Sequence, residues 1–156
     1  MVIGAMALAA WGRPRATVDL DFKLRASLKD LEKLQLKAMK MGYKIDHGWQ
    51  RHNPLLASIQ TRILHRGIPI DLLLPRDDHD RQAWVHRKRK KLGKRFFWFS
   101  SAEDLILEKL KVGRPRDFED AVTVLERMGR KLDKRYLKRW AKKLGLLGEL
   151  DYILEL

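Results

Sequence analysis

Apolar positions in the first part of the chain often alternate with polar ones, a period that is typical of β-strands. Residues 18–24 show this alternation, which places Asp19, Asp21 and Lys23 together on one face of a predicted strand. Three further stretches predict strands, the first two joined by a turn at Arg66-Gly67: residues 55–64, 68–74 and 96–99. The alternation therefore predicts a small β-sheet that carries acidic side chains on one face.

Elsewhere apolar residues recur every three or four positions, which predicts amphipathic helices. Ser27 with Asp30, and Ser100 with Glu103, match the capping-box pattern that opens a helix. Pro115 suits a first helical position, and Asp133 can cap a later helix. The predicted helices cover residues 3–10, 28–41, 77–85, 101–112, 115–128, 134–144 and 146–156.

These elements predict an α+β fold, with a mixed β-sheet flanked by helices and followed by a C-terminal helical segment. Mixed elements give way to helices alone near Ser100. We therefore expect a core over residues 1–99 and a helical segment, packed on that core, over residues 100–156.

The charge balance changes what the fold is expected to bind. Lysine and arginine number 34 against 20 acidic residues, so the formal net charge is +14. Such an excess favours a polyanionic partner, either nucleic acid or a bound nucleotide, although solubility alone would also explain it. The 156 residues include no cysteine, which excludes disulfides, thiol catalysis and cysteine zinc sites. No apolar run is long enough to span a membrane, so we expect a cytoplasmic protein without membrane contact.

A block of consecutive cations stands just before the aromatic stretch at residues 96–99. Its members are Arg87, Lys88, Arg89, Lys90 and Lys91. Basic residues interleaved with aromatic ones are typical of RNA-binding surfaces, whereas a charge run alone is more often a solvated face. The five histidines lack the spacing of metal ligands and are predicted to be surface or packing residues.

The acidic residues on the predicted strands are the main candidates for chemistry. Asp19 and Asp21 point to the same face, where two carboxylates repel each other unless water or a cation separates them. Asp71 lies in an otherwise apolar strand and would join them if the two strands are neighbours. Three such carboxylates suit a site for two Mg²⁺ ions that transfers phosphoryl groups. The alternatives are an exposed strand face and, for Asp71, a buried ion pair with Arg15 or Arg62.

Small and basic residues precede this strand. Gly4 and Ala5 open the first predicted helix, where a phosphate could approach the backbone N–H groups. Arg13, Arg15 and Thr17 stand between that helix and the strand, where they would contact phosphate or brace the turn.

Three short motifs together resemble one family. They are Gly4-Ala5, Gly12-Arg13-Pro14-Arg15-Ala16-Thr17 and Asp19-Leu20-Asp21. The combination resembles the signature of minimal nucleotidyltransferases of the DNA-polymerase-β-like superfamily, including toxin-type members. The resemblance implies transfer of NMP from an NTP, ATP among them, to an acceptor hydroxyl. It also implies that Asp19 and Asp21 hold two Mg²⁺ ions, and that Asp71 holds one of them and helps to deprotonate the acceptor.

The resemblance continues into the predicted helices beyond residue 100. Lys109, Arg116, Asp117 and Asp120 match positions that border the nucleotide in the family, and Ala5 departs from the family's second glycine or serine. The resemblance thus implies a nucleotide site of nine residues: Gly4, Ala5, Arg13, Arg15, Thr17, Lys109, Arg116, Asp117 and Asp120. Without the resemblance, Lys109 would be interpreted as a solvated helix residue. Asp117 and Asp120 would be interpreted as acids that the helix dipole stabilises in the first turn.

Several functions remain open at this point. The acceptor could be RNA, and the enzyme could be half of a toxin–antitoxin pair, partnered by an antitoxin protein or by a second copy. Relatives carry a helix before the motif at which this sequence begins, so a preceding segment or a partner subunit is expected there. The alternative class is a catalytically inactive module that binds RNA or a protein partner on the same fold.

Overall fold

A computed structural model describes all 156 residues as nine α-helices and six β-strands. The helices are α1 (Gly4–Trp11), α2 (Leu28–Lys40), α3 (His47–His52), α4 (Pro54–Ala57), α5 (Asp78–His86), α6 (Ala102–Val112), α7 (Pro115–Met128), α8 (Lys134–Leu144) and α9 (Leu147–Glu155). The strands are β1 (Leu20–Lys23), β2 (Lys44–Ile45), β3 (Gln60–His65), β4 (Ile68–Leu73), β5 (Lys88–Leu92) and β6 (Arg95–Phe99). No helix combines the length and the apolar character needed to cross a membrane.

The main sheet has four strands in the order β1-β4-β3-β2. β1 pairs with β4 in parallel, whereas the other two pairings are antiparallel, so the sheet is mixed as predicted. β3 and β4 form the expected hairpin, which turns at Arg66 and Gly67. α2 covers this sheet because Leu31 and Ala38 pack against Ile63 and Leu72. The α+β class with a C-terminal helical segment is therefore confirmed.

The largest core lies between α1 and the C-terminal helices. It contains 19 buried residues, and α6 runs through its centre with Leu105, Ile106 and Leu107 fully buried. The indole of Trp11 donates a hydrogen bond of 2.8 Å to the carbonyl oxygen of Ser100. This packing holds α1, and with it the start of the motif-bearing segment, against the helical segment.

β5 and β6 form a separate two-stranded hairpin. Val2 connects it to the main sheet, because this residue bridges both Phe22 on β1 and Phe99 on β6. Its backbone N–H donates to the carbonyl oxygen of Trp98, and its own carbonyl accepts from Ser100. One residue thus joins the cationic hairpin to the strand that follows Asp19.

Two local predictions are wrong in detail. The strand predicted over residues 55–64 starts only at Gln60, because Pro54 at a first helical position favours the short helix α4 instead. The cap of α6 is Ser101 with Asp104, not Ser100 with Glu103. Ser100 cannot cap because its backbone N–H still extends the pairing with Val2.

Candidate functional site

The register of two parallel strands brings the three predicted carboxylates together. Asp21 on β1 lies directly opposite Asp71 on β4, so both side chains project from the same face of the sheet. Asp19 precedes β1 on the same face, and its carboxylate accepts a 2.5 Å hydrogen bond from the Thr17 hydroxyl. Oxygen atoms of the three carboxylates lie within 4.8 Å of one another, which is close enough to share a cation.

The N-terminus of α1 approaches this acidic cluster of Asp19, Asp21 and Asp71. Gly4 has a φ angle of +61°, and a Cβ atom at this position would lie only 2.1 Å from Oδ2 of Asp21. Both the backbone conformation and the space therefore require glycine. The close approach places the first backbone N–H groups of the helix beside the carboxylates, where an anion bridging to a cation would be bound.

The electrostatics of the cluster favour a cation. Burial, followed by the charges of Asp19 and Asp71, raises the pKa of Asp21 to about 6. The three groups therefore repel one another when all are ionised. A divalent cation bound between the three carboxylates would relieve this repulsion.

Arg62 already neutralises part of the cluster. It lies opposite Asp71 in the β3–β4 hairpin and donates two hydrogen bonds of 2.7 and 2.6 Å to its carboxylate. Its guanidinium is also 3.9 Å from the carboxylate of Asp19 and lies over the ring of Trp49. The ion pair foreseen as an alternative for Asp71 thus exists, and it coexists with the clustering of the three acids.

The acidic cluster opens into a cleft of 920 Å³. Eight cationic and five acidic side chains line it, so the cleft is positive apart from the acidic cluster. The predicted site residues that line it are Gly4, Ala5, Arg15, Thr17, Asp19, Asp21, Asp71, Lys109, Arg116 and Asp117. Such a cleft has the size and polarity to hold a nucleotide.

Three groups of predicted site residues lie elsewhere. Arg13 is exposed and faces Glu126 in a separate small pocket with Thr123. Asp120 is buried behind the cleft wall. The basic block from Arg87 to Lys91 lies on α5's end and β5, outside the cleft. Direct contact with a nucleotide in the cleft is therefore expected of none of them.

Lys109 is the centre of a buried charge network, not a solvated residue. Its ammonium group contacts Asp117 at 2.9 Å and Asp120 at 2.6 Å. Arg15 holds the other side of Asp120, and Arg114 holds Asp117. Arg116, which the family resemblance placed beside the nucleotide, makes no ion pair. Burial opposes ionisation of Asp117, but its cationic neighbours outweigh burial and lower its pKa. The network fixes the turn before β1 onto α6 and α7.

Lys23 was predicted to share a strand face with Asp19 and Asp21, and in the structure its side chain is buried, with only 2% exposed. It is held by Asp80 on α5 at 2.6 Å and by Glu108 on α6. Burial lowers the pKa of Lys23, but the two carboxylates outweigh burial and raise it. Asp77, His79 and Asp80 also come close enough to hold a metal, yet Lys23 and Lys111 already neutralise the two acids.

One histidine is a packing residue, which is one of the two roles predicted for the histidines. His79 is fully buried, with Nε2 at 3.2 Å from Asp104 and its ring packed edge-on against Trp140. Asp104 also accepts from Tyr136 and from its cap residue Ser101. Burial opposes ionisation of Asp104, but four neighbouring side chains outweigh it and hold its pKa far below the usual range. No spacing rule flags this histidine, because its partner lies on another helix.

Comparison with known proteins adds no relative: no protein-family model matches the chain, and no curated protein is significantly similar to it. The arrangement of the cleft must therefore carry the functional argument. What it offers chemically is a three-carboxylate cation site, a helix N-terminus beside it and a largely cationic wall.

Proposed function

We propose that this protein is a metal-dependent nucleotidyltransferase of the DNA-polymerase-β-like type, which transfers NMP from an NTP to an acceptor hydroxyl. One observation carries the proposal. Asp19, Asp21 and Asp71 lie within 4.8 Å of one another, beside Gly4, where the positive φ angle and the close approach of α1 both require glycine. An exposed strand face would need neither the convergence nor the glycine.

The three carboxylates fit Mg²⁺ as ligands. They supply hard oxygen donors only, and the raised pKa of Asp21 reflects burial and mutual repulsion that a cation would relieve. Asp19 and Asp21 would hold both ions and Asp71 one of them. Bound Mg²⁺ would neutralise the triphosphate and stabilise the charge that develops during phosphoryl transfer.

The remaining residues of the cleft would bind and orient the nucleotide. Gly4 and Ala5 line the cleft at the N-terminus of α1, where their backbone N–H groups would bind a phosphate. Arg116 is a cation in the cleft without an acidic partner. The acceptor oxygen would attack the α-phosphorus as the bond to the β-phosphate breaks and pyrophosphate leaves. Asp71 would accept the proton of the attacking hydroxyl.

The test is incubation with each α-labelled NTP, Mg²⁺ and total RNA, followed by a search for transferred label. We expect transfer by the parent protein, and none after Asp19→Asn with Asp21→Asn. Asp71→Asn should leave NTP affinity within a few fold but lower turnover about a hundredfold, equivalent to ~2.7 kcal/mol of transition-state stabilisation. Asp151→Asn, an exposed acid on α9, is the matched control and should behave as the parent. Absence of label with every NTP and divalent metal would refute the proposal.

A second candidate function is supported by Arg62. The guanidinium of Arg62 donates two hydrogen bonds to the Asp71 carboxylate. In this second reading, Arg62 rather than a metal ion neutralises the acidic cluster, and the cluster has only a structural role. The chain would then be a binding module for RNA or a protein partner without turnover. Titration with Mn²⁺ separates the two: the enzyme must bind the ion in the cleft and lose it in Asp21→Asn, and the binding module must not.

A further inference from the structure

The hairpin of β5 and β6, together with Arg87 just before it, carries a dense run of positive charge that no acidic residue compensates. Residues 87–95 hold seven cations, and no acidic residue occurs anywhere from residue 81 to residue 102. The ion pairs of the protein involve none of these seven cations. Lys90 also lies near other cations: burial, followed by the charges of Arg127 and Lys131, lowers the pKa of Lys90. An anionic partner would relieve this concentration of charge.

The two faces of the hairpin differ in what they contact. One face, with Phe99 and Lys90, turns toward the body of the protein, because Phe99 is buried and Lys90 lies over the ring of Trp11. The strand register places four residues together on the opposite face, here called the outer face: Arg89 opposite Trp98, and Lys91 opposite Phe96.

The aromatic rings of the outer face remain open to solvent. Phe96 is 57% exposed and Trp98 is 45% exposed. Arg89 lies over Phe96 at 4.7 Å, and Arg87 lies between the rings of Trp98 and Trp84, at 4.4 and 5.0 Å. Each guanidinium group therefore covers one face of a ring, and unpaired bases stack on guanidinium planes as well as on aromatic rings.

We propose that the outer face binds single-stranded nucleic acid, with bases stacked on Phe96 and Trp98 and phosphates contacted by Arg89 and Lys91. The exposed rings select an unpaired strand, because bases inside a duplex offer no free face for stacking. A second copy of this chain is a poor occupant, since its own net charge of +14 would repel the face. This binding does not depend on the proposed transfer reaction. If the reaction occurs, the bound strand would be a candidate acceptor, and only that role rests on the proposed function.

The experiment measures fluorescence anisotropy of a short labelled uridine homopolymer in EDTA without NTP, so that failure of catalysis cannot affect the result. A duplex of equal length, a thymidine homopolymer and polyglutamate serve as comparison ligands. We expect either single strand to bind at least tenfold more tightly than the duplex and to resist displacement by polyglutamate. Equal binding of the duplex, effective competition by polyglutamate, or no binding at all would overturn the inference.

Two pairs of variants separate stacking from charge. Trp98→Leu should weaken binding about tenfold while Trp98→Tyr retains it, because stacking on an aromatic ring contributes ~1–3 kcal/mol. Tyr152→Leu, an exposed aromatic on α9, is the control. Wild-type affinity in Trp98→Leu would show that the rings do not stack on bases, and thermal melting of each variant verifies that the hairpin is folded.

For the cations, Arg89→Gln with Lys91→Gln should reduce the slope of log Kd against log salt by about 1.4, or ~0.7 for each lost phosphate contact. Lys138→Gln with Lys142→Gln removes two exposed cations from α8 and should leave the slope unchanged. If both double variants reduce the slope equally, the whole basic surface attracts the strand and the outer face is not its site.

Discussion

Replacing Gly4 by alanine tests how closely α1 packs against the acidic cluster. Alanine would have to adopt the left-handed φ angle of +61°, which it disfavours. Its methyl carbon would also overlap Oδ2 of Asp21, at a distance of 2.1 Å. The backbone conformation costs an L-residue about 1.5 kcal/mol, and turning the carboxylate out of its rotamer costs about 1 kcal/mol more. We expect the free energy of unfolding to fall by about 2.5 kcal/mol and the melting temperature by ~8 °C.

Gly145→Ala is the matched control for this substitution. Gly145 has a φ angle of +71° but nothing within 4 Å of the position that a Cβ would take. It should therefore lose only the backbone contribution, about 1.5 kcal/mol or ~5 °C in melting temperature. The difference between the two variants isolates the contact with Asp21.

The two variants should differ more strongly in cation affinity. At an effective dielectric constant of 20, a divalent cation and a carboxylate about 4 Å apart attract by roughly 8 kcal/mol. Displacing Asp21 by enough to lose a fifth of that attraction weakens binding about tenfold. Differential scanning fluorimetry and calorimetric titration with Mn²⁺ measure both quantities. Equal melting temperatures and unchanged Mn²⁺ affinity in the two variants would refute the predicted packing of α1 on the cluster.

Three further predictions concern buried charge. Burial and like-charge neighbours raise the pKa of Asp21 from 3.8 to about 6, so the folded state binds the proton more tightly and loses stability as the pH rises from 4 through 6. Without metal, Asp21→Asn should therefore raise the free energy of unfolding by about 3 kcal/mol at pH 8 and by much less at pH 4; an equal gain at both would exclude this cause. Arg62→Gln should lower the melting temperature in EDTA but enlarge the rise produced by Mg²⁺, because it frees Asp71; an unchanged Mg²⁺ effect would show that Arg62 and the ion do not compete. Asp104→Asn should lower the free energy of unfolding in urea by about 3 kcal/mol, and a loss like that of the exposed Asp151→Asn would contradict the network around His79.

Local signals in the sequence account for much of the fold. The alternation before Leu24, the capping box at Ser27 and the glycine after α6 predict elements that the structure contains. The hairpin turn at Arg66-Gly67 even fixes a register in which Arg62 lies opposite Asp71. The capping pattern predicted at Ser100 was displaced by one residue, because the backbone N–H of Ser100 pairs with the distant Val2.

The candidate site depended on the pairing of strands far apart in the chain. That Asp19, Asp21 and Asp71 converge follows from the parallel register of β1 and β4, which alternation alone does not specify. The burial of Lys23 was missed for a related reason. A charged residue is rarely buried unless it is paired. The partners of Lys23 lie on α5 and α6, so they carry no sequence signal at Lys23 itself.

The ion pairs that bury Lys23 also restrict how this sequence can change over generations. Substituting Lys23 alone leaves Glu108 without a cationic partner in the interior, at a cost of about 3–5 kcal/mol. Substituting Asp80 or Glu108 alone leaves Lys23 with one carboxylate where it now has two. Exchanging the whole group for apolar residues of similar volume costs far less. A single substitution in the group therefore lowers the stability of the protein more than the joint replacement does. Homologous sequences should consequently retain all three residues or replace them together. This covariation would identify distant relatives whose overall sequence similarity is low.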